Sequence, residues 1–212
     1  MIDLYTWETS NGRKASVMLE ETGLAYRAIP VNIGKGEQHT PEYLALHPDG
    51  KIPVIVDHDP PPGFGGAPHT VFESGAILLY LADKSGLLLP TEAVARSRCM
   101  QWLMFGLSVA GPTCQQLHYF RRQTPEPVPF AIQRYFDETS KVYRVLDKRL
   151  GEAEYLGGDA YTIADIATYP WIARYNWQGI ELADYPHVQR WFAAIGERPA
   201  VQRGFAVPRL PA

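Results

Sequence analysis

The sequence predicts an α/β domain followed by an all-α helical bundle. Three observations lead to this. Short apolar β-branched runs alternate with helical patterns and Gly/Pro turns as far as residue 86. Strand signals vanish after Gly86-Leu87-Leu88-Leu89-Pro90, and long helical patterns with short breaks take over from Val94. Between these regimes, Lys51 to Leu81 holds a buried strand, a Pro/Gly loop and an apolar helix in close succession. The expected organisation is a first domain over 1–86, a linker over 87–93 and a helical domain over 94–212.

Ile2 to Thr6 reads as a short strand, and Trp7 to Gly12 as a turn. Arg13 to Glu21 carries a helical pattern that stops at Gly23. Tyr26 to Ile33 is a second strand, followed by the polar loop Gly34-Lys35-Gly36-Glu37-Gln38. Thr40-Pro41-Glu42 opens a short helix, because proline suits a first helical turn, and His47-Pro48-Asp49-Gly50 closes it. Val54 to Asp57 is the third strand and Thr70 to Phe72 the fourth. The breaker-rich stretch from Asp59 to Pro68 lies between them. A core helix then starts at Ser74, with apolar residues on every side.

In the second part, the helix from Ala95 is expected to kink at Gly111-Pro112, since proline removes a helical hydrogen bond, and to resume over Gln115 to Arg122. Phe130 to Leu150 is a second long helix. Thr162-Ile163-Ala164-Asp165 has the spacing of a capping box opening a third, and Pro186 to Arg198 completes the bundle.

The composition narrows function by exclusion. With 212 residues, 46% hydrophobic and 20% charged, the chain can bury a sizeable core. A net charge of -3 gives no general pull toward nucleic acid or anionic membrane. The longest apolar run, Ala76 to Ala82, is too short to cross a bilayer. No signal peptide is read at Met1-Ile2-Asp3-Leu4-Tyr5, and Cys99 and Cys114 are the only cysteines, so a reducing cytoplasm is the expected setting. The six histidines offer no helical pair and no companion cysteines, so no metal site is expected.

Two places have the chemistry of a ligand site. At Glu73-Ser74-Gly75, a helix start supplies free N–H groups and partial positive charge for a carboxylate. Ser74 adds a hydroxyl and Glu73 an acceptor for an ammonium, so a group with α-amino and α-carboxyl ends fits; taken alone, the junction reads first as an ordinary N-cap serine with a dipole-friendly glutamate. Just before it, a cis Ile52-Pro53 would leave the Ile52 backbone at a strand end, open to a short peptide. The second place is Thr9-Ser10-Asn11, at the C-terminal end of the first strand, where ligands dock in open α/β sheets. A thiol there would face helix N–H groups that favour the thiolate, with Thr9 and Asn11 as donors and Ser10 as their competitor. Helix capping alone also accounts for Thr9 and Asn11, and Tyr5 reads as a packing residue.

The run Lys51-Ile52-Pro53, then Glu73-Ser74-Gly75-Ala76-Ile77 leading into Tyr80-Leu81-Ala82, resembles the glutathione-binding half of a glutathione transferase. The N-terminal wording is similar to a bacterial group, often called nu class, of glutathione-dependent disulfide-bond reductases. The resemblance extends over essentially the whole chain. It implies a thioredoxin-like first domain, a cis Pro53, and Glu73 and Ser74 holding the γ-glutamyl end of glutathione. It places Gln38 at the glycine end, with Lys51 as a nearby cation, and Arg134 reaching toward glutathione from the second long helix. From the residues alone, Gln38 reads equally as a solvated loop residue, Lys51 as one of the common exposed lysines beside turns, and Arg134 as the solvated face usual for an arginine on a helix. Thioredoxin and glutaredoxin carry a cysteine near Thr9; this chain has none between Met1 and Arg98. The nucleophile would therefore arrive as glutathione, a co-substrate in a homodimeric enzyme whose second substrate is a small disulfide. A conjugating or peroxidase transferase acting on other small electrophiles, and a non-catalytic module of the same fold, are the alternatives.

Overall fold

The structure, a computed structural model, describes residues 1–209. They form two compact units, Met1–Leu89 joined by the segment from Glu197 onward, and Pro90–Gly196. The first unit runs β1 (Ile2–Thr6), α1 (Ser10–Thr22), β2 (Tyr26–Pro30), α2 (Pro41–Leu44), β3 (Val54–Asp57), β4 (His69–Phe72) and α3 (Ser74–Ser85). Its sheet has the order β2-β1-β3-β4, with β1 parallel to β2 and antiparallel to β3, and β4 antiparallel to β3. This is the thioredoxin-like arrangement. Leu4, Val54 and Ile55 from the sheet, Met18 and Leu19 from α1, and Ile77, Leu78 and Leu81 from α3 are fully buried.

Register decides what the edge of this sheet presents. Tyr5 pairs with Val54, and Val54 pairs with Phe72, so the three form one row across β1, β3 and β4. One step beyond that row lie the end of β1, Pro53 and Glu73. Both α1 and α3 therefore begin at the same edge, and they pack against each other.

Local details depart from the sequence pattern for identifiable reasons. Helix α1 starts at Ser10, ahead of Arg13, because the Thr9 side chain caps it. Strand β2 ends at Pro30, and Ile33–Lys35 is a 3-10 turn held by the Asn32 side chain, which accepts from Gly34 and Lys35. The Thr40 hydroxyl caps α2, with Pro41 in its first turn.

The second unit contains α4 (Ala93–Phe105), α5 (Gly111–Arg122), α6 (Pro129–Glu152), α7 (Ile163–Ile172), α8 (Tyr175–Gln178) and α9 (Pro186–Gly196). The interruption expected at Pro112 falls just before it, as a π turn over Gly106–Ala110. Proline cannot bond back four residues, and the Gly111 N–H instead reaches the Gly106 carbonyl. The capping box at Thr162 is present in full. Its Asp165 is completely buried and accepts from the Leu156 and Thr162 N–H groups, the Thr162 hydroxyl and the Trp191 indole, all within 3.1 Å. Burial pushes its carboxyl upward, against hydrogen bonds that favour the ionised form.

The C-terminal region differs from a helical domain over 94–212. Helix α9 stops at Gly196, and α10 (Pro199–Phe205) packs on α1 of the first unit. Arg198 grips Glu21 through two bonds of 2.7 and 2.8 Å, and Arg203 meets Glu20 at 2.6 Å. No helix among the described residues is long and apolar enough to cross a membrane.

Candidate active site

At the shared sheet edge, the turn from β1 into α1 is possible because residue 12 is glycine. A Cβ there would stand 2.3 Å from the Trp7 carbonyl and 2.5 Å from the Thr6 hydroxyl. The Gly12 N–H donates to the Thr9 hydroxyl at 3.0 Å. Thr9 is therefore the cap, and because its oxygen accepts that bond, its own proton remains for donation elsewhere. Asn11 follows at the second helical position, half-buried, with no hydrogen bond from its N–H or side chain among the described residues. Ser10 is only 3% exposed, which sets it apart from its two partly open neighbours. Tyr5 sits in the sheet with its ring edge-on to Tyr43, a packing role.

The start of α3 is different in kind. Its N-cap is Glu73, which makes no capping bond and holds a left-handed backbone, φ 68. Non-glycine residues are uncommon there, and such strain concentrates at ligand sites. Ser74 is the first helical residue and not the cap. The Ser74, Gly75 and Ala76 N–H groups have no acceptor among the described residues, since the first helical bond is Ile77 N–H to the Glu73 carbonyl at 2.9 Å. The ordinary serine-cap reading of this junction is thereby set aside. An uncapped helix start beside a carboxylate offers donors for an anion and an acceptor for a cation within one residue.

The Ile52–Pro53 bond is cis. The backbone N–H and carbonyl of Ile52 make no hydrogen bond among the described residues, while the carbonyl before it, Lys51, accepts from the Tyr43 hydroxyl at 2.7 Å. The Lys51 side chain is exposed and pairs with Asp49 at 2.6 Å. Gly50, at φ +59, lets the turn at Gln38 come close, for a Cβ would meet the Gln38 carbonyl at 2.9 Å. Gln38 is half-buried; its amide nitrogen is 3.1 Å from the His39 ring, and its side-chain oxygen is buried without a partner. Thr9 and Asn11, Ile52 and Pro53, and Glu73 and Ser74 thus line one edge of one sheet, with Gln38 and Lys51 brought together beside it.

Family models of the glutathione S-transferase N-terminal and C-terminal domains match residues 2–83 and 117–199. The chain belongs to the glutathione S-transferase family. It is 49% identical to the disulfide-bond oxidoreductase YfcG of Escherichia coli, over 99% of this chain and 97% of that protein. A Burkholderia graminis glutathione transferase solved with two glutathione molecules per subunit superposes with a TM-score of 0.92 at 41% identity, over 99% of this chain and 89% of that one. A Pseudomonas putida glutathione transferase solved with one glutathione disulfide per subunit gives 0.92 at 40% identity, over 98% and 91%.

In this glutathione transferase Arg134 stands exposed on α6 of the second unit. Cys99 and Cys114 are free and buried, and burial pushes the Cys114 thiol up to about 12. Both are therefore poor thiolates. No group of three or more metal-ligating side chains forms among the described residues. One residue escaped the sequence reading. Lys14 on α1 is only 2% exposed, in a run of buried residues that includes Ala15, Val17 and Met18. The signal was there, a lysine in the apolar phase of an amphipathic helix, but long lysine stems usually snorkel to water.

Proposed function

We propose that this chain is a glutathione-dependent disulfide-bond reductase. The observation that carries the reading is the uncapped start of α3 beside the strained Glu73, on the same sheet edge as the unpaired Ile52 backbone and the Thr9 cap. Glutathione is complementary to that edge. Its α-ammonium meets Glu73, and its α-carboxylate takes the Ser74 hydroxyl and the free N–H groups of α3. The cysteinyl backbone adds to Ile52 as a short strand, with Pro53 behind it. Gln38 and Lys51 stand at the glycine carboxylate. The sulfur then lies at the start of α1, where the Thr9 hydroxyl and Asn11 donate to it and favour the thiolate.

Chemistry follows from what this edge offers. The bound thiolate attacks one sulfur of a small disulfide; a new S–S bond to glutathione forms as the old one breaks, and the second half leaves as a thiolate. A second glutathione thiolate attacks the glutathione sulfur of that mixed disulfide, releasing glutathione disulfide and the remaining thiol. Such exchange needs access and a thiolate but no strong base. The names of the relatives agree: one is called a disulfide-bond oxidoreductase, and others hold two glutathiones or glutathione disulfide. The same reading takes the enzyme as a homodimer in a reducing cytoplasm, in keeping with its two free buried thiols.

Parallel assays with hydroxyethyl disulfide and chlorodinitrobenzene test the reaction. Disulfide turnover far above aromatic conjugation is expected. Faster conjugation would hand the site to a conjugating transferase, and no turnover of either would favour a non-catalytic binding module.

A further inference from the structure

The turn that carries the proposed sulfur donors also holds a chemically labile pair. Residue 12 must be glycine, because a Cβ would stand 2.3 Å from the Trp7 carbonyl and 2.5 Å from the Thr6 hydroxyl. Residue 11 is asparagine, so an Asn-Gly step is built into the start of α1. With no side chain to shield it, a glycine amide nitrogen is the readiest to attack the carboxamide of a preceding asparagine. The chain has three asparagines, and the other two are restrained twice over. Asn32 precedes the branched Ile33, and its side-chain oxygen accepts from the Gly34 and Lys35 N–H groups at 3.0 and 3.2 Å. Asn176 precedes the bulky Trp177, and its side-chain oxygen takes the Trp177 N–H at 2.9 Å. The Asn11 carboxamide is half-buried and makes no hydrogen bond among the described residues.

One bond guards it. The Gly12 nitrogen is the group that would attack, and its N–H donates to the Thr9 hydroxyl at 3.0 Å. Helical backbone also holds that nitrogen away from the Asn11 side chain, so reaction waits for the first turn of α1 to open. We propose that Asn11 is a self-modifying site that deamidates from the opened first turn, and that the Thr9 cap and bound glutathione both retard it. The Gly12 nitrogen bonds to Asn11 Cγ, the bond from Cγ to the amide nitrogen breaks, and ammonia leaves with the Gly12 proton. Water then opens the cyclic imide to aspartate or isoaspartate, with no oxidant or reductant. An aspartate at the second helical position suits the helix dipole, so the fold tolerates it. The same negative charge beside a thiolate disfavours that thiolate, and an amide donor is lost. Conversion to aspartate thus leaves the fold intact and silences the enzyme. That consequence, and protection by glutathione, rest on the function proposed above; the deamidation itself does not.

Ageing the wild-type protein in mildly alkaline buffer, followed by peptide mapping in a mass spectrometer, tests the site. Asn11 should convert before Asn32 and Asn176. Thr9→Val removes the guarding bond and should speed conversion about two- to tenfold, the worth of one hydrogen bond. Thr9→Ser keeps the hydroxyl and should age as wild type does. Saturating glutathione should slow conversion by about tenfold or more. Asn11→Asp should keep the wild-type Tm and lose about tenfold or more of disulfide turnover. An Asn11 that stays an amide while Asn32 or Asn176 converts, or that ages equally in wild type and Thr9→Val, would overturn the proposal. If Thr9→Val does not fold, the order of conversion among the three asparagines still decides. Deamidation that proceeds at the same rate with glutathione present would instead overturn the placing of the sulfur at α1.

Discussion

The Ser16 hydroxyl donates to the Gly204 carbonyl at 2.7 Å, joining positions 188 residues apart. At this contact α10 lies so close to α1 that a Cβ on residue 204 would stand 2.7 Å from the Val17 Cα. Gly204→Ala must push the helices apart, and overpacking of this kind costs about 1–3 kcal/mol. Urea unfolding of the variant should show that loss. Wild-type stability would mean that α10 is not seated as described.

Glu73 combines a strained backbone with the proposed ammonium acceptor. Glu73→Gly suits φ 68 and removes the carboxylate, so it should fold at least as stably as Glu73→Ala. Both variants should bind glutathione more weakly by about 1.5–3 kcal/mol, the loss of a hydrogen bond to a charged group. Calorimetry decides, and unchanged affinity in a folded variant would sink the assignment.

Asn11 and Ser10 are neighbours with different exposure, and the sulfur should depend on the more open one. Asn11→Ala is expected to slow disulfide turnover at least tenfold, equivalent to about 1.4 kcal/mol at the barrier. Ser10→Ala should slow it less. A dominant Ser10 effect on kcat would relocate sulfur activation.

The second unit carries its own pH response. His118 is buried against Trp171 and Trp177, with its Nε2 3.1 Å from the Gln178 amide. Burial, with repulsion from Arg174 and Arg122, lowers it from 6.5 to about 4. Between those values the unfolded chain binds a proton that the folded chain refuses. Stability should therefore fall by about 1–3 kcal/mol as pH drops from 6.5 to 4. Tm measured across that window should fall less steeply in His118→Gln. An equal slope would assign the acid sensitivity to other groups.

Asp165 draws four donors onto one buried carboxylate. Asp165→Ala leaves the Leu156 and Thr162 N–H groups and the Trp191 indole without that acceptor. A loss of about 3–5 kcal/mol is expected in denaturant unfolding. A loss below 1 kcal/mol would deny it a structural role.

The strands, the capping box and the Lys51-to-Leu81 edge were legible in the sequence because each rests on local chemistry. Alternation marks β1, a proline marks the entry to β3, and Thr162 and Asp165 stand at capping-box spacing. The proposed site residues Glu73, Ser74, Pro53 and Thr9 are singled out through family resemblance, since Ser74 and Thr9 by type also suit plain helix caps. What stayed hidden depends on distant partners. Only packing tells that Ser74 is not a cap, that Lys14 is buried, or that α10 belongs with α1. The close approach of Gly106 to Thr168, where a Cβ would stand 2.6 Å from the hydroxyl, is likewise a matter of packing.

The first unit is discontinuous: the chain leaves it at Pro90 and returns at Glu197. Cutting the gene after the linker would not liberate a self-sufficient glutathione-binding domain. Such a fragment would strip the guanidinium partners from Glu20 and Glu21 and lay bare Val17 on the helix whose start is proposed to face the sulfur.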